Sequence, residues 1–367
     1  MKIISKSLEK TLKHVAETKP DEFPFDHGKK SYWDRYSQLA AKLNSDFHTQ
    51  VAAGSQAVDG GMLTDHGPDH IQTVINRVAC LLDDDKNEND LSGYEIYLLL
   101  CAIHFHDLGN IKGRVKHEKI ITDMMNEVSG FLGDATERKY IREIAEAHGG
   151  KVGSDKDTIS HLEPSATLFG HNVRLQALAG ILRFADELAD DSYRANSILL
   201  KLGSVPDSSL IYHKYARCLN SVVATPSAKE IKLHYHINID DFVKTFPKKI
   251  GYSDEYSQVY LLDEIFERLS KMYSESLYCN RFTSPIVDVR RISVDIMCLK
   301  ESEKLGDRLP RIKFTLRENG YPEEKALSIH QLADNLSNWD NTGSNLTGSV
   351  FANHLKQNFF PDGEFGE

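Results

Sequence analysis

The run YLLLCAIHFHD is almost wholly apolar until it closes on His106 and Asp107, two side chains able to hold a metal ion. Three other segments set the same kinds of group on apolar faces. In NVRLQALAGILRFADELADD, the stripe Leu175, Leu178, Leu182 and Ala185 continues into Asp186 and then Ala189. In YIREIAEAHGG, Ile141, Ile144 and Ala145 share a stripe with His148. His70 opens its own apolar pattern beside Val74. A carboxylate turned into a core is costly unless a cation meets it. Two imidazoles and two carboxylates make a mixed nitrogen and oxygen site, suited to Mn, Mg, Fe, Co, Ni or Zn, with one or two divalent ions bound. A metal so held keeps positions open for water, lowers that water's pKa and polarises a group bound beside it.

Each group alone also has a plainer reading. Asp186 could pair with Arg183, and an adjacent His-Asp arises often by chance. His148 could be a satisfied core histidine, or could bond the helix end near Gly149 and Gly150, where a cationic ring favours the dipole. The joint arrangement is much rarer than any of its parts. Around it, Lys112, Arg114 and Lys116 in NIKGRVKHE are cations suited to phosphate, or else solvated loop charges. His117 could protonate a leaving oxygen, or could cap the following helix with Glu118. His66, in the loop before Pro68, could orient a metal ligand from behind. His104 is two residues from His106, so on a helix it faces elsewhere and reads as structural. His234 and His236 alternate on a strand and read as surface residues.

Helices are what these positions require. Pro68 suits the first turn of a helix carrying His70 and reaching about Leu82, with Ile71, Val74, Ile75 and Val78 at helical spacing. LSGYEIYLLLCAIHFHDLG reads as a helix buried all round and ended by Gly109. Residues 118–148 carry one or two helices, and NVRLQALAGILRFADELADD one long amphipathic helix. After about Pro206 the texture changes. EIKLHYHINI and RRISVDIMCL alternate strictly, the period of strands, with PSAKE as a hairpin turn and a helix near residues 255–275 between them. The expected fold is mainly α with a smaller C-terminal α+β region. The expected division is an N-terminal helical extension (1–55), a metal-binding helical domain (56–205), the α+β region (206–300) and a polar C-terminal extension (301–367).

The bulk numbers set bounds. A length of 367 residues suits about two domains. The net charge of −10 argues against a protein that coats nucleic acid without sequence preference, while leaving room for a small basic pocket. The five cysteines are scattered without CxxC spacing, which points to reduced thiols and a cytoplasmic location. MKIISKSLEKTLKH has no sustained apolar stretch, so no signal peptide is expected, and no run approaches the roughly 18 residues of a membrane span.

The segments DHGPDHIQTV, HFHDLGN, GRVKHE, EAHGG and RFADELADDSYRA, spread over roughly residues 60–197, resemble the HD-domain superfamily of metal-dependent phosphohydrolases. The ADELADDSYRA ending with an α+β extension is similar to an HD branch found in bacterial conflict and signalling systems. The resemblance implies an HD-type helical bundle in which His70 is the first metal ligand, His106 and Asp107 the doublet, and Asp186 the last aspartate. It implies further that His148 and His161 serve a second metal, and that His117 is a catalytic histidine beside Asp107. Asn110 stands where members that cleave cyclic dinucleotides often carry lysine, and no GYP-type motif is present, so a cyclic-di-GMP esterase is not expected. The implied activity is hydrolysis of a phosphoester in a nucleotide or nucleic acid, and the acidic balance favours a small nucleotide over a single-strand nuclease. A nucleotide-binding regulatory module without significant turnover is the alternative from a different class, against which the intact ligand set argues. The expected partners are the phosphoester substrate and a second copy of the chain, with no membrane.

Overall fold

The structure, a computed structural model, describes residues 3–24, 31–54, 64, 66–83, 91–108, 117–250, 255–300, 309–317, 328–334, 336, 339 and 345–360. Helices α1 (Leu8–Thr18) and α2 (Tyr32–Leu43) form an outer layer, and α2 runs on through a π turn at Asn44–His48. Helix α3 (Pro68–Leu82) starts as expected, with Pro68 in its first turn after Gly67. Helix α4 (Gly93–Phe105) is the central rod. A reciprocal Ser92–Glu95 cap fixes its start, and every residue in it is buried. Its interior polar groups are met. Glu95 takes two bonds from the Arg174 guanidinium, at 2.8 and 2.6 Å, and His104 lies between Tyr36 and His48.

Two helices fill residues 117–148. They are α5 (His117–Glu127) and α6 (Ala135–Glu146), the second capped by the Asp134 carboxylate. Helix α7 (Leu175–Glu187) is shorter than its apolar stripe. The chain turns after Glu187 because Asp190 and Asp191 find better partners outside the helix, Arg268 at 2.9 Å and Arg77.

After α8 (Asp207–Cys218) comes a mixed five-stranded sheet. Strands β1 (Leu219–Thr225) and β2 (Glu230–Asn238) form a hairpin whose turn passes through Pro226 and Lys229, the latter in the left-handed region at φ +52°. Strand β3 (Arg291–Leu299) lies parallel to β2. A parallel pair needs a crossover, and α9 (Leu261–Thr283) lies within it. Ile231, Leu233, Tyr235 and Ile237 point inward, and their neighbours in the strand outward, as strict alternation predicts. The polar tail, without an assigned element from its sequence, supplies β4 (Arg311–Arg317), β5 (Ala333–Asp334) and α10 (Gly348–Phe359). Strand β4 extends the sheet beside β3, β5 pairs with it at the edge, and Phe351 of α10 meets Phe242 edge to face at 5.0 Å. The molecule is mainly α with a smaller α+β region.

Helices α7 and α9 pack closely. A methyl group on Gly180 would lie 2.7 Å from Thr283 Cγ2, so only glycine allows this approach. Along the same seam Arg183 forks onto Glu275 at 2.7 and 2.9 Å, and Lys271 reaches Glu187 at 2.6 Å. Among the described residues no helix is long and apolar enough to cross a membrane.

Candidate metal centre

The centre is made where helix ends converge. His70 lies in the first turn of α3, and Asp186 is the penultimate residue of α7. His106 and Asp107 follow the last residue of α4, and His148 follows α6 closely. One ligand atom from each of His70, His106, Asp107 and Asp186 falls within 4.8 Å of all the others. His70 Nε2 is 3.2 Å from Asp186 Oδ1 and 3.4 Å from Asp107 Oδ2. His106 Nε2 is 3.4 Å from Asp107 Oδ2 and 3.6 Å from Asp186 Oδ1.

The ring of His106 is set by its own helix. A carbonyl only accepts, so Nδ1 carries the proton donated to Ile103 O at 2.7 Å, and Nε2 faces the cluster. His70 Nε2, His106 Nε2 and Asp186 Oδ1 are buried and have no hydrogen-bond partner. Buried polar atoms are normally satisfied, and one cation accepting lone pairs from all of them would satisfy these at once. Two imidazoles and two carboxylates are a suitable donor set for a divalent ion. The charges agree. Burial opposes a proton on His106, yet Asp107 and then Asp186 raise it to about 10. Burial likewise pushes both aspartates up, and the imidazoles beside them nonetheless hold both well below the usual carboxylate range. A place that retains a proton this firmly has the negative potential that attracts a metal cation.

Arg183 does not compete for Asp186, because Glu275 and Thr158 Oγ1 hold its guanidinium. His148 has two contacts at once. Its Nδ1 donates to Ala145 O at the helix end, and its Nε2 lies 3.7 Å from Asp107 Oδ1, the oxygen turned away from His70 and His106. The ring thus bonds the helix end with one nitrogen and sets the other near Asp107. His66 Nε2 is 3.9 Å from Asp107 Oδ2, with its Nδ1 bonded to Thr64 O and its Nε2 receiving Arg194. Burial and the Arg194 charge lower His66 to about 3, so it stays neutral. His161 does not join the group. It is exposed on the loop after α6, 3.9 Å from Asp155, because that loop turns its ring to solvent. Lys112, Arg114 and Lys116 lie outside the described residues, as does the side chain of His117, whose backbone begins α5.

Two neighbours escaped the sequence reading. His48, on the π turn, bonds His104 Nδ1 through its Nε2 at 3.2 Å. Burial and the charge of His106 lower it to about 4, which puts it within electrostatic reach of the cluster. Tyr36 donates to Glu9 and therefore accepts from His104 Nε2, so the buried chain runs Glu9, Tyr36, His104, His48. A π turn interrupts helical spacing without a residue signature, so no sequence signal marked His48. Arg194 is the other. It stands in the same DSYRA stretch as the resemblance, which was the available hint.

A family model described as HD-CE matches residues 61–264. No curated protein and no solved structure matches the chain.

Proposed function

The chain belongs to the HD-CE family, and from that membership and its four-ligand cluster we propose that it is a metal-dependent phosphohydrolase acting on a phosphoester of a nucleotide or nucleic acid. The observation that carries this reading is the convergence of buried, unpartnered ligand atoms on His70, His106 and Asp186. These residues, with Asp107, would hold a divalent cation. Bound there, the ion supplies Lewis acidity that acidifies water and offsets the charge of a phosphoryl group. The protein's own share is orientation. Ile103 O holds the tautomer of His106, and the helix ends of α3, α4 and α7 fix the remaining ligands before any substrate arrives. Such preorganisation avoids reorganisation during the reaction.

Asp107 supports a second ion in the same reading. Its Oδ2 faces His70 and His106, and its Oδ1 faces His148. A carboxylate divided in this way suits two adjacent cations, with His148 serving the second. His117 is proposed as the proton donor to the leaving oxygen, and Lys112, Arg114 and Lys116 as contacts to the substrate's charge.

The test is elemental analysis with a turnover screen across Mn, Mg, Fe, Co, Ni and Zn. Substrates are nucleoside mono- and triphosphates, cyclic nucleotides, and single-stranded DNA and RNA. Wild type should carry metal and turn over one class, Asp107→Ala should do neither, and His148→Ala should keep metal but lose most turnover. Unchanged turnover in folded Asp107→Ala would refute the site.

A further inference from the structure

The five-stranded sheet lays one face on the core and leaves the other open. The open face carries every second residue of β2, β3 and β4, all exposed or half-buried. Lys232, Arg291, Arg311, Lys313 and Arg317 are its cations. Its carboxylates are Glu230, Asp295 and Asp334. Pairing sets Arg291 directly opposite Arg317, and like charges across a rung destabilise a sheet. Asp295 is shared by three basic side chains. It takes a fork from Arg311 at 2.7 and 2.5 Å, with Lys313 and His234 each at 3.8 Å. The face thus holds a surplus of positive charge on a chain whose net charge is −10. A face that is merely solvated mixes both signs, whereas a local field opposed to that of the whole molecule gathers anions.

Flat and soft groups lie among these cations. His236 and Met297 are cross-strand neighbours, with Arg311 on the far side of Met297. His234 stands one step along β2 from them, and Val223 and Leu299 are exposed at the margins. Imidazole rings and guanidinium planes receive stacked bases, a use that an acidic peptide has no need of. Cations at Arg311 and Lys313 recur at every second residue, about 6.6 Å apart along the strand, which suits a chain of repeating phosphates. We propose that this open face binds single-stranded nucleic acid, with the cations on phosphates and His234, His236 and Met297 against bases. The acidic remainder of the chain confines such binding to this face. The inference concerns binding alone and does not rest on the phosphohydrolase reading.

The test is fluorescence anisotropy of labelled oligouridine and oligothymidine, added to the full chain in EDTA. A length of about 20 nucleotides exceeds the roughly 4–16 that one single-strand-binding domain covers. The chelator keeps the metal centre from holding or cutting the probe. Wild type should bind, with log K falling by about 0.7 per phosphate contact for each log unit of salt. The triple variant Lys232→Gln, Lys313→Gln, Arg317→Gln changes only exposed side chains. It should bind at least about tenfold more weakly, with a shallower salt slope. His236→Ala should lose about fivefold or more at an unchanged slope. Asp295→Asn removes the carboxylate that three basic groups share, so it should tighten binding, where a merely structural Asp295 would not. Lys42→Gln with Lys139→Gln, on α2 and α6, is the control and should change nothing. No binding by wild type at low salt would overturn the proposal, as would an equal loss in the control. So would polyglutamate that displaces the probe as well as unlabelled oligouridine does, since the partner would then be an acidic polypeptide.

Discussion

His106 is held from two sides, by Ile103 O on Nδ1 and by two carboxylates around Nε2. The cluster is therefore preformed, and a cation bound in it would stabilise the fold by mass action. At a hundredfold excess over its Kd the gain is about 2.7 kcal/mol. A chelator should accordingly lower the Tm of the metal-loaded wild type by several degrees and leave Asp107→Ala unmoved; a chelator-insensitive wild type would show that the cluster binds nothing. His70, His106, Asp107 and Asp186 were legible in the sequence because each breaks an apolar stripe, and a costly exception to patterning is visible without a structure. His148 lay on such a stripe too, and its bond at the end of α6 was one of the readings its position already offered. His161 rested on the resemblance alone and on no apolar stripe, and it stands exposed. Neither Arg194 nor His48 broke an apolar pattern, and only the stretch around Arg194, through the resemblance, offered any hint.

Among the elements, one carboxylate fastens three helices. Glu137 of α6 accepts from Arg35 of α2 at 2.8 Å, and from Tyr94 and Tyr97 of α4 at 2.9 and 3.3 Å. It is fully enclosed, so Glu137→Ala would take the carboxylate from the largely buried Arg35 charge. The expected cost in denaturant unfolding is about 3–5 kcal/mol. Glu137→Gln, which keeps the shape and part of the bonding, should cost clearly less. The seam between α7 and α9 tests packing alone. Gly180→Val must push Thr283 aside, and the Tm should register a loss of about 1–3 kcal/mol; a neutral outcome would mean that the two helices can separate freely. Helix α4 and strands β2 and β3 were readable because continuous apolarity and strict alternation are strong periods. The end of α7 was not, since its stripe continues past Glu187 while Arg268 and Arg77 draw the chain away.

At the level of the whole molecule, the C-terminal stretch is part of the core. Strand β4 pairs with β3 along its length, and Phe351 of α10 is completely buried against Phe242. Phe351→Ala should destabilise the chain by about 3–5 kcal/mol, measured by urea unfolding; a loss below 1 kcal/mol, marginal on the same scale, would show α10 to be an accessory. The polar composition of residues 301–367 concealed this, because the strand and the helix each bury only one face. The seam of α7 and α9 carries a further meaning. Arg183 and Glu187 flank Asp186 and are tied to Glu275 and Lys271, and Asp190 just beyond is tied to Arg268. The segment carrying Asp186 is thus gripped at three points by a helix that belongs to the α+β region. The two parts share one mechanical linkage, and a tug on the sheet is a tug on the His/Asp cluster.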